Sequence, residues 1–514
     1  MMTAQAWQAN PLIYEINTWT WLYALSERAG RRVTLGSVPD DELDALASWG
    51  LDAIWLMGVW ERSPASRRIA AEHPALQGEY HRALPNYTPD DISGSPYAIR
   101  RYEVDAALGG RKELAAIRER LAARGLRLIL DFVPNHTSHD SPWLEIHPEF
   151  FLHGTEAELE AQPDHFFRYP TQAGEIIFAN GRDPYFPAWT DTAQVNPFSP
   201  QLRRHMIHTL LDIAQQCDGV RCDMAMLVTS EIAAQTWGAR AGDPPDEDFW
   251  REVIPAVKRE HPAFLFISEV YWNLEWELQQ QGFDYTYDKE LYNRLHHAPV
   301  PEIRAHLQAD LDYQQKLVRM IENHDEARAA TSLGVPRSLA AAALIATLPG
   351  ATLLHEGQFQ GHRIKLPVQL RRRPPENDQP AVEAFYRALL HEATQPIYHA
   401  GEWRLREVEP RTSKSPSYAS ILAYTWRHGD ERRLVAINYS DAPAQGIVPL
   451  PDFDLAGQKW TLREVLERAS TVRPGGELSQ RGVALDLAPW QASIIALLPR
   501  PAREPAADTA QRPT

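Results

Sequence analysis

Short apolar runs, each followed by an amphipathic stretch, fill most of the chain up to residue 395. Leu12–Asn17 is a β-rich run. Pro39 and the acids after it then open a stretch with apolar residues at helical spacing, closed by Gly50, which signals a helix. Asp52–Met57 is a second apolar run. The same grammar continues through a helix from Gly110 to Leu121, closed by Gly125, and a strand over Leu126–Asp131. Ser199-Pro200 caps a helix reaching Gln216, and a fourth strand ends on Asp223. Helical segments over 231–237 and 248–260 precede a fifth strand, Phe264–Glu269. Phe283–Tyr287, Leu317–Asn323 and Thr352–His355 supply three more. Strand and helix in alternation call for a parallel sheet, and eight strands close most naturally into an α/β fold of the (β/α)8 barrel type.

The alternation breaks in three places. Residues 61–94 form a long insertion interrupted by Pro64, Pro74, Pro85 and Pro89, whose middle, Ser66–Arg82, reads as one helix. Insertions of that length inside a compact domain are functional or disordered, and the role of this one stays open. Residues 137–195 are rich in His, Pro, Phe and Asp with few periodic runs, and read as a small irregular subdomain after strand three. From 396 the pattern becomes short β-rich runs between turn signals: 418–426, 433–439, 445–448, 460–462 and 492–498. That describes an antiparallel β-sandwich. The expected organisation is a barrel over 1–136 and 196–395, an inserted subdomain over 137–195 and a sandwich over 396–500. A tail over 501–514 is too polar to bury anything and reads as disordered.

Composition narrows the function classes. Hydrophobic residues at 44% and charged residues at 23% of 514 are ordinary for a folded enzyme-sized chain. A formal charge of −16 argues against nucleic acid or an anionic membrane as partner. No apolar run reaches the roughly 20 residues of a membrane span. The first residues lack the basic-then-apolar pattern of a secretory signal, so a cytoplasmic location is expected. The two cysteines, Cys217 and Cys222, are separated by extended chain that holds them too far apart to bridge, which fits free thiols in a reducing compartment. Sixteen Trp and eighteen Tyr supply rings suited to sugar faces as well as to cores.

Candidate chemistry gathers on the strand ends. Side chains alternate along a strand, so Arg221 and Asp223 share a side and the arginine fixes the carboxylate beside it. Asp131, Asp223, Glu269 and Asp325 fall at or just past the ends of strands three, four, five and seven, where barrel enzymes carry their chemistry. Several acids on one rim are costly unless paired or protonated. Glycoside hydrolysis needs that inequality: one ionised carboxylate and one protonated acid.

Four stretches, Asp131–His136, Gly219–Asp223, Phe264–Glu269 and Glu322–Asp325, resemble in order the four signature regions of the α-amylase superfamily, glycoside hydrolase family 13. Thr192–Asn196 is similar to a looser fifth region. The resemblance spans residues 10 to 400 and implies a retaining mechanism on α-glucosidic bonds of oligosaccharides. It makes Asp223 the nucleophile, Glu269 the general acid and base, and Asp325 a third acid gripping sugar hydroxyls. By the same resemblance Arg221, His136, His324, Tyr97, Asn323 and Asp131 bind or support the substrate. The apolar neighbours of Glu269 favour a raised pKa there. Asn135 matches a calcium ligand of many relatives, while several intracellular relatives lack the ion and the chemistry itself needs no cofactor.

The chain also departs from the family pattern. Met226 and Leu227 stand where a Lys-His pair is frequent, and Arg101 stands where an aspartate is frequent. Leu354–Lys365 replaces the usual end of strand eight. These changes bear on donor and acceptor preference, leaving a transglycosylase or isomerase open beside a hydrolase. A catalytically silent binding or scaffold protein is a further alternative, which the retention of all three acids disfavours. Linkage, chain length and oligomeric state are not legible.

Overall fold

The computed structural model describes residues 7–172, 174–412 and 415–500; the tail expected to be disordered, 501–514, lies outside them. The chain divides into two compact units. One holds the described residues up to Asn293, with Asp310–Ser332 and Gly350–Glu383; the other holds Arg294–Ala309, Leu333–Pro349 and the described residues from Ala384. This grouping cuts across the boundary expected at 396. Its cause is packing: Tyr424 and Trp426 bond the hydroxyl and carbonyl of Thr347 at 2.6 and 2.7 Å, tying helix Val335–Thr347 to the C-terminal sheets.

The first unit contains a closed parallel barrel of eight strands. They are β1 (Leu12–Asn17), β2 (Ala53–Met57), β3 (Arg127–Phe132), β4 (Gly219–Cys222), β5 (Leu265–Ser268), β6 (Tyr285–Tyr287), β7 (Leu317–Arg319) and β8 (Ala351–His355). All but one of the 36 strand residues are buried, as the inside of a helix-covered barrel requires. Register sets the site. Arg221 on β4 is level with Asp131 on β3 and Ile267 on β5, and Cys222 is level with Phe132 and Ser268. One residue further, Asp223 N–H donates to Phe132 O and Glu269 N–H to Cys222 O, at 2.8 and 3.0 Å. Asp223 and Glu269 are therefore the first residues beyond strands that run in step. β4, β5 and β7 all end earlier than the apolar runs suggested. β7 stops four residues before Asn323, whose side-chain oxygen accepts the N–H groups of Asp325 and Glu326 at 3.0 and 2.9 Å and turns the chain.

The 61–94 insertion contains two helices, Pro64–Glu72 and Pro74–Ala83, where one was expected. Pro74 has no N–H to continue the first helix and is well placed to begin the second. Ala70, Tyr80, Leu84 and Ile92 share an apolar cluster with Leu370 from beyond β8. Residues 137–195 are more regular than their composition suggested. His136–Ser138, Phe166–Thr171, Gly174–Gly181 and Trp189–Gln194 build a four-stranded antiparallel sheet. Its strands mix aromatic with polar residues and are partly exposed, which erased the alternation that sequence reading relies on.

The second unit carries a six-stranded and a three-stranded antiparallel sheet. Residues of both, among them Ile421, Leu434, Trp460, Val483 and Leu485, share one apolar cluster, as a sandwich core does. Strands Glu402–Arg406 and Ser470–Pro474, absent from the sequence reading, are the edge strands of the larger sheet.

Candidate active site

At the C-terminal mouth of the barrel the acids are organised by one buried cation. Arg221 Nη1 donates to Asp223 Oδ1 at 2.6 Å, and Nη2 lies 2.8 Å from Glu269 Oε2. The guanidinium is 1% exposed and is flanked by the rings of Tyr97, Trp55 and Tyr287, with centroids 5.1–5.8 Å away. Its planar fork suits two carboxylates at once, which lysine could not match.

Glu269 is held from three further directions. Met224 takes up a left-handed backbone at φ 43°, unusual for a non-glycine residue, and its N–H donates to Glu269 Oε2 at 2.7 Å. Ala225 N–H bonds the Glu269 carbonyl at 3.0 Å. Tyr271 OH donates to Oε1 at 2.7 Å. Burial raises the Asp223 carboxyl to about 7, with the charges of Glu269 and Asp325 pushing the same way against Arg221. Near neutral pH the cluster therefore holds a proton.

Asp325 faces them, with its side chain 45% exposed. Its Oδ2 lies 2.9 Å from His324 Nε2, while His324 Nδ1 contacts Glu15 Oε1 on β1. Against the opposing cost of burial, the two carboxylates hold the His324 imidazole well above its usual pKa, as a cation. Burial likewise opposes, and His324 and Arg221 outweigh it, in holding Asp325 well below the carboxylate range. Tyr97 stacks on the His324 ring at 5.3 Å and its hydroxyl sits 2.8 Å from Nε2. His136 is buried against Trp189 at 5.1 Å, and burial pushes its imidazole down to about 4, so it is neutral.

A cavity of about 490 Å³ joins these groups, lined among others by Tyr97, His136, Trp189, Asp223, Glu269 and Asp325. The other expected site residues stand behind its wall. Asp131 accepts Trp55 Nε1–H at 3.1 Å and the Gly58 N–H at 2.8 Å, and burial pushes it up to about 6. Asn323 is occupied with the turn before Asp325. Arg221 and His324 reach the cavity only through the acids they hold.

Four site residues escaped sequence reading: Glu15, Met224, Tyr271 and Asp191. Glu15 had a signal, since a charge inside the apolar run Leu12–Asn17 has to find a partner when buried. Asp191 lines the cavity and accepts Ser66 Oγ–H at 2.5 Å from the 61–94 insertion. That insertion thus has a place in the site: Ile69, Ala70, His73 and Leu76 form part of the cavity wall. Met226 and Leu227, by contrast, are buried core residues.

Asn135 does not present itself as a calcium ligand. Its amide pairs reciprocally with Gln194, Nδ2 to Oε1 at 3.2 Å and Oδ1 from Nε2 at 2.9 Å, so its oxygen faces a donor and not other oxygens. Among the described residues no group of three or more His, Cys, Asp or Glu is arranged to hold a metal, and Ca²⁺ requires six to eight oxygens. Dialysis against EDTA is therefore expected to leave the thermal midpoint within about 1 °C and the activity unchanged. A fall in either on chelation, restored by Ca²⁺, would refute this.

A closed parallel barrel gathering three acids around one guanidinium at its C-terminal mouth falls in the class of barrel enzymes that act through paired carboxyls. The family described as alpha amylase, catalytic domain, matches residues 39–367, and the chain belongs to it. An alpha-amylase of Haloarcula japonica is 27% identical over 368 residues, 70% of this chain and 45% of that protein. An alpha-amylase of Dictyoglomus thermophilum is 20% identical over 393 residues, 72% of this chain and 68% of that one. The chain thus spans less than half the length of the first relative. An alpha-1,4-glucan:maltose-1-phosphate maltosyltransferase of Bifidobacterium longum is 27% identical over 236 residues, 45% of this chain and 25% of that protein. Among solved structures, a maltogenic alpha-amylase from Thermotoga neapolitana has a TM-score of 0.67 at 19% identity, covering 95% of this chain and 99% of that one. At that identity the likeness concerns the fold.

Proposed function

We propose that the protein is a retaining glycoside hydrolase acting on α-glucosidic bonds of oligosaccharides, with Asp223 as nucleophile and Glu269 as acid and base. The observation that carries this is the single guanidinium spanning both carboxylates. Retaining enzymes keep their two carboxyls about 5–5.5 Å apart, and inverting ones about 6.5–9.5 Å, to admit a water between them. Two carboxylate oxygens within 2.6 and 2.8 Å of the two terminal nitrogens of one arginine support the short separation.

In the forward step the proton held between the two carboxyls passes through Glu269 to the glycosidic oxygen while Asp223, ionised once that proton has left it, attacks the anomeric carbon and the bond to the leaving oxygen breaks, forming a covalent glycosyl-enzyme. Water, deprotonated by Glu269, then releases the sugar and regenerates both groups. Met224 N–H and Tyr271 OH aim Glu269. Asp325 grips ring hydroxyls more tightly in the transition state, with His324 fixing its direction.

A transglycosylase using the same intermediate is the second reading, favoured by the apolar wall of Ile69, Ala70, Leu76 and Val368, which orders water poorly. The described lining carries carboxyls and imidazoles but no guanidinium or ammonium, so an uncharged donor fits better than a phosphorylated one. A reducing, cytoplasmic setting is supported by the two buried free thiols. Among the described residues no helix is long and apolar enough to cross a membrane.

A product time course from maltose, maltotriose, longer malto-oligosaccharides, trehalose, sucrose and maltose 1-phosphate tests the proposal. Shortening chains with new reducing ends, and no turnover of the phosphate ester, are expected. Products longer than the substrate, or an isomer without hydrolysis, would move the assignment to the second reading. Silence on every sugar would return a binding role.

A further inference from the structure

Asp325 differs from the other two acids in how the chain carries it. Asp223 and Glu269 are the first residues past their strands, and backbone hydrogen bonds of 2.8 and 3.0 Å fix both. Asp325 lies six residues past Arg319, where β7 ends after only three residues. The pairing of β7 with its neighbours stops at Arg319, so the placement of Asp325 rests on side chains. Asn323 and His324 supply two of them from the same turn, through the Asp325 N–H at 3.0 Å and Oδ2 at 2.9 Å.

Two more arrive from outside, one past each strand that flanks β7. After β6, Asp288 N–H bonds Val318 O at 2.9 Å, and the next residue, Lys289, opens helix Lys289–His297. Its ammonium bonds Glu326 Oε1, beside Asp325, with both side chains mostly buried at 17% and 21% exposed. The same ammonium sits 3.9 Å from the Tyr292 ring centroid and 6.0 Å from that of Tyr271, whose hydroxyl aims Glu269. After β8, Lys365 donates to the Asp325 carbonyl. The chain leading to Lys365 is braced on both sides. Glu376 Oε2 accepts the N–H groups of Arg363 and Ile364 at 2.7 and 3.2 Å, and Thr331 Oγ1–H donates to Arg363 O at 2.7 Å.

An exposed ammonium on a carbonyl adds little to stability. Its effect on direction is another matter, because a group that grips substrate must be held to within about 0.5 Å of its working position. We infer that Lys289 and Lys365 are positioning residues of the reaction: they clamp the turn 323–326 from its two sides and hold Asp325 where its grip on the sugar requires. This rests on the hydrolase reading and deepens it, naming two cations outside the described cavity wall on which the third acid depends. The charge of Lys365 also favours the ionised form of Asp325.

The test measures kcat, KM and thermal midpoint of the full chain on maltotriose. Lys289→Met and Lys365→Met keep the length of the side chain and drop its charge; Lys289→Arg and Lys365→Arg keep the charge. Asp325 acts most strongly in the transition state, so each methionine variant is expected to lower kcat about tenfold with KM within about twofold. Arginine is expected to restore most of the lost kcat at each position, and Lys365→Met to leave the midpoint unchanged. A kcat within about twofold of wild type in either methionine variant would overturn the clamp and leave the hydrolase reading standing. So would losses confined to KM, or losses that follow a fallen midpoint and that arginine does not restore. A wild type silent on maltotriose and on the other α-glucosides would overturn the hydrolase reading and the clamp with it.

Discussion

Replacing Asp223 by Asn should lower turnover by about 10⁴-fold or more while raising the stability of the free protein. The first half follows from removing the nucleophile, a loss that no neighbouring group can make good. The second follows from where the proton sits. Burial lifts the Asp223 carboxyl to about 7, against about 3.9 in an unfolded chain. The folded state then binds more protons than the unfolded state between about pH 4 and 7, so stability falls as pH rises through that window. Above about pH 7 the cost is fully present, on the order of a few kcal/mol; below about pH 4 it is absent. Asparagine removes it, and Arg221 keeps Glu269 as its partner at 2.8 Å. Scanning calorimetry at pH 8 and pH 4.5 checks this: the variant should melt higher at pH 8 with a smaller gain at pH 4.5. A variant that melts lower at pH 8 would show that the Arg221–Asp223 bond outweighs the desolvation of the carboxylate. The same proton gives kcat/KM an acid limb, activity falling as pH drops through about 7, far above an ordinary carboxylate.

Much of this site was legible because its signals are local. The barrel strands are short apolar runs between capped helices, and Arg221 two residues before Asp223 requires no tertiary knowledge to place on one side of a strand. Asp223 and Glu269 could be read for the same reason: each follows an apolar run directly. What stayed hidden depends on contacts distant in sequence. Asn323 and Asp131 carry the right residue types, yet the turn at 325 and the indole of Trp55 hold them outside the cavity. The wall built by residues 69–76 could not be seen because an insertion states its length but not where it folds back. Met224 was hidden differently, since its role lies in a backbone angle and not in its side chain. The sheet within 137–195 was missed because half-exposed strands with mixed polarity carry no clean period.

The same reasoning identifies Glu15 as the residue whose loss should be felt most without any contact with substrate. It lies fully buried on β1 and contacts His324, 309 residues away in the chain. Glu15 and Asp325 together hold His324 charged, with His355, Arg221 and Asp131 also acting on this pair and Tyr97 covering the ring. With glutamine in place of Glu15 the imidazolium keeps only Asp325, and its pKa must fall. Breaking one side of a buried charge pair costs about 3–5 kcal/mol. Sign follows from the raised pKa of His324: the stability it contributes is complete below about pH 6.5, the unfolded value, and is lost as pH rises through the higher folded value. Glu15→Gln lowers that folded value, so the loss of stability with rising pH should begin nearer neutrality in the variant than in the wild type. Catalysis should follow the same curve. A neutral His324 no longer fixes Asp325, so kcat should fall about 10²-fold with a smaller change in KM, and the basic limb of kcat should move to lower pH. A merely structural Glu15 would lower stability and leave that limb in place. Restoring the carboxylate as aspartate offers the control, since it returns the charge on a shorter arm and should recover part of the pH profile. If Glu15→Gln keeps the wild-type basic limb, the charge on His324 has no part in the reaction, and Asp325 must be aligned by the turn at Asn323 and by Lys365, whose ammonium donates to the Asp325 carbonyl.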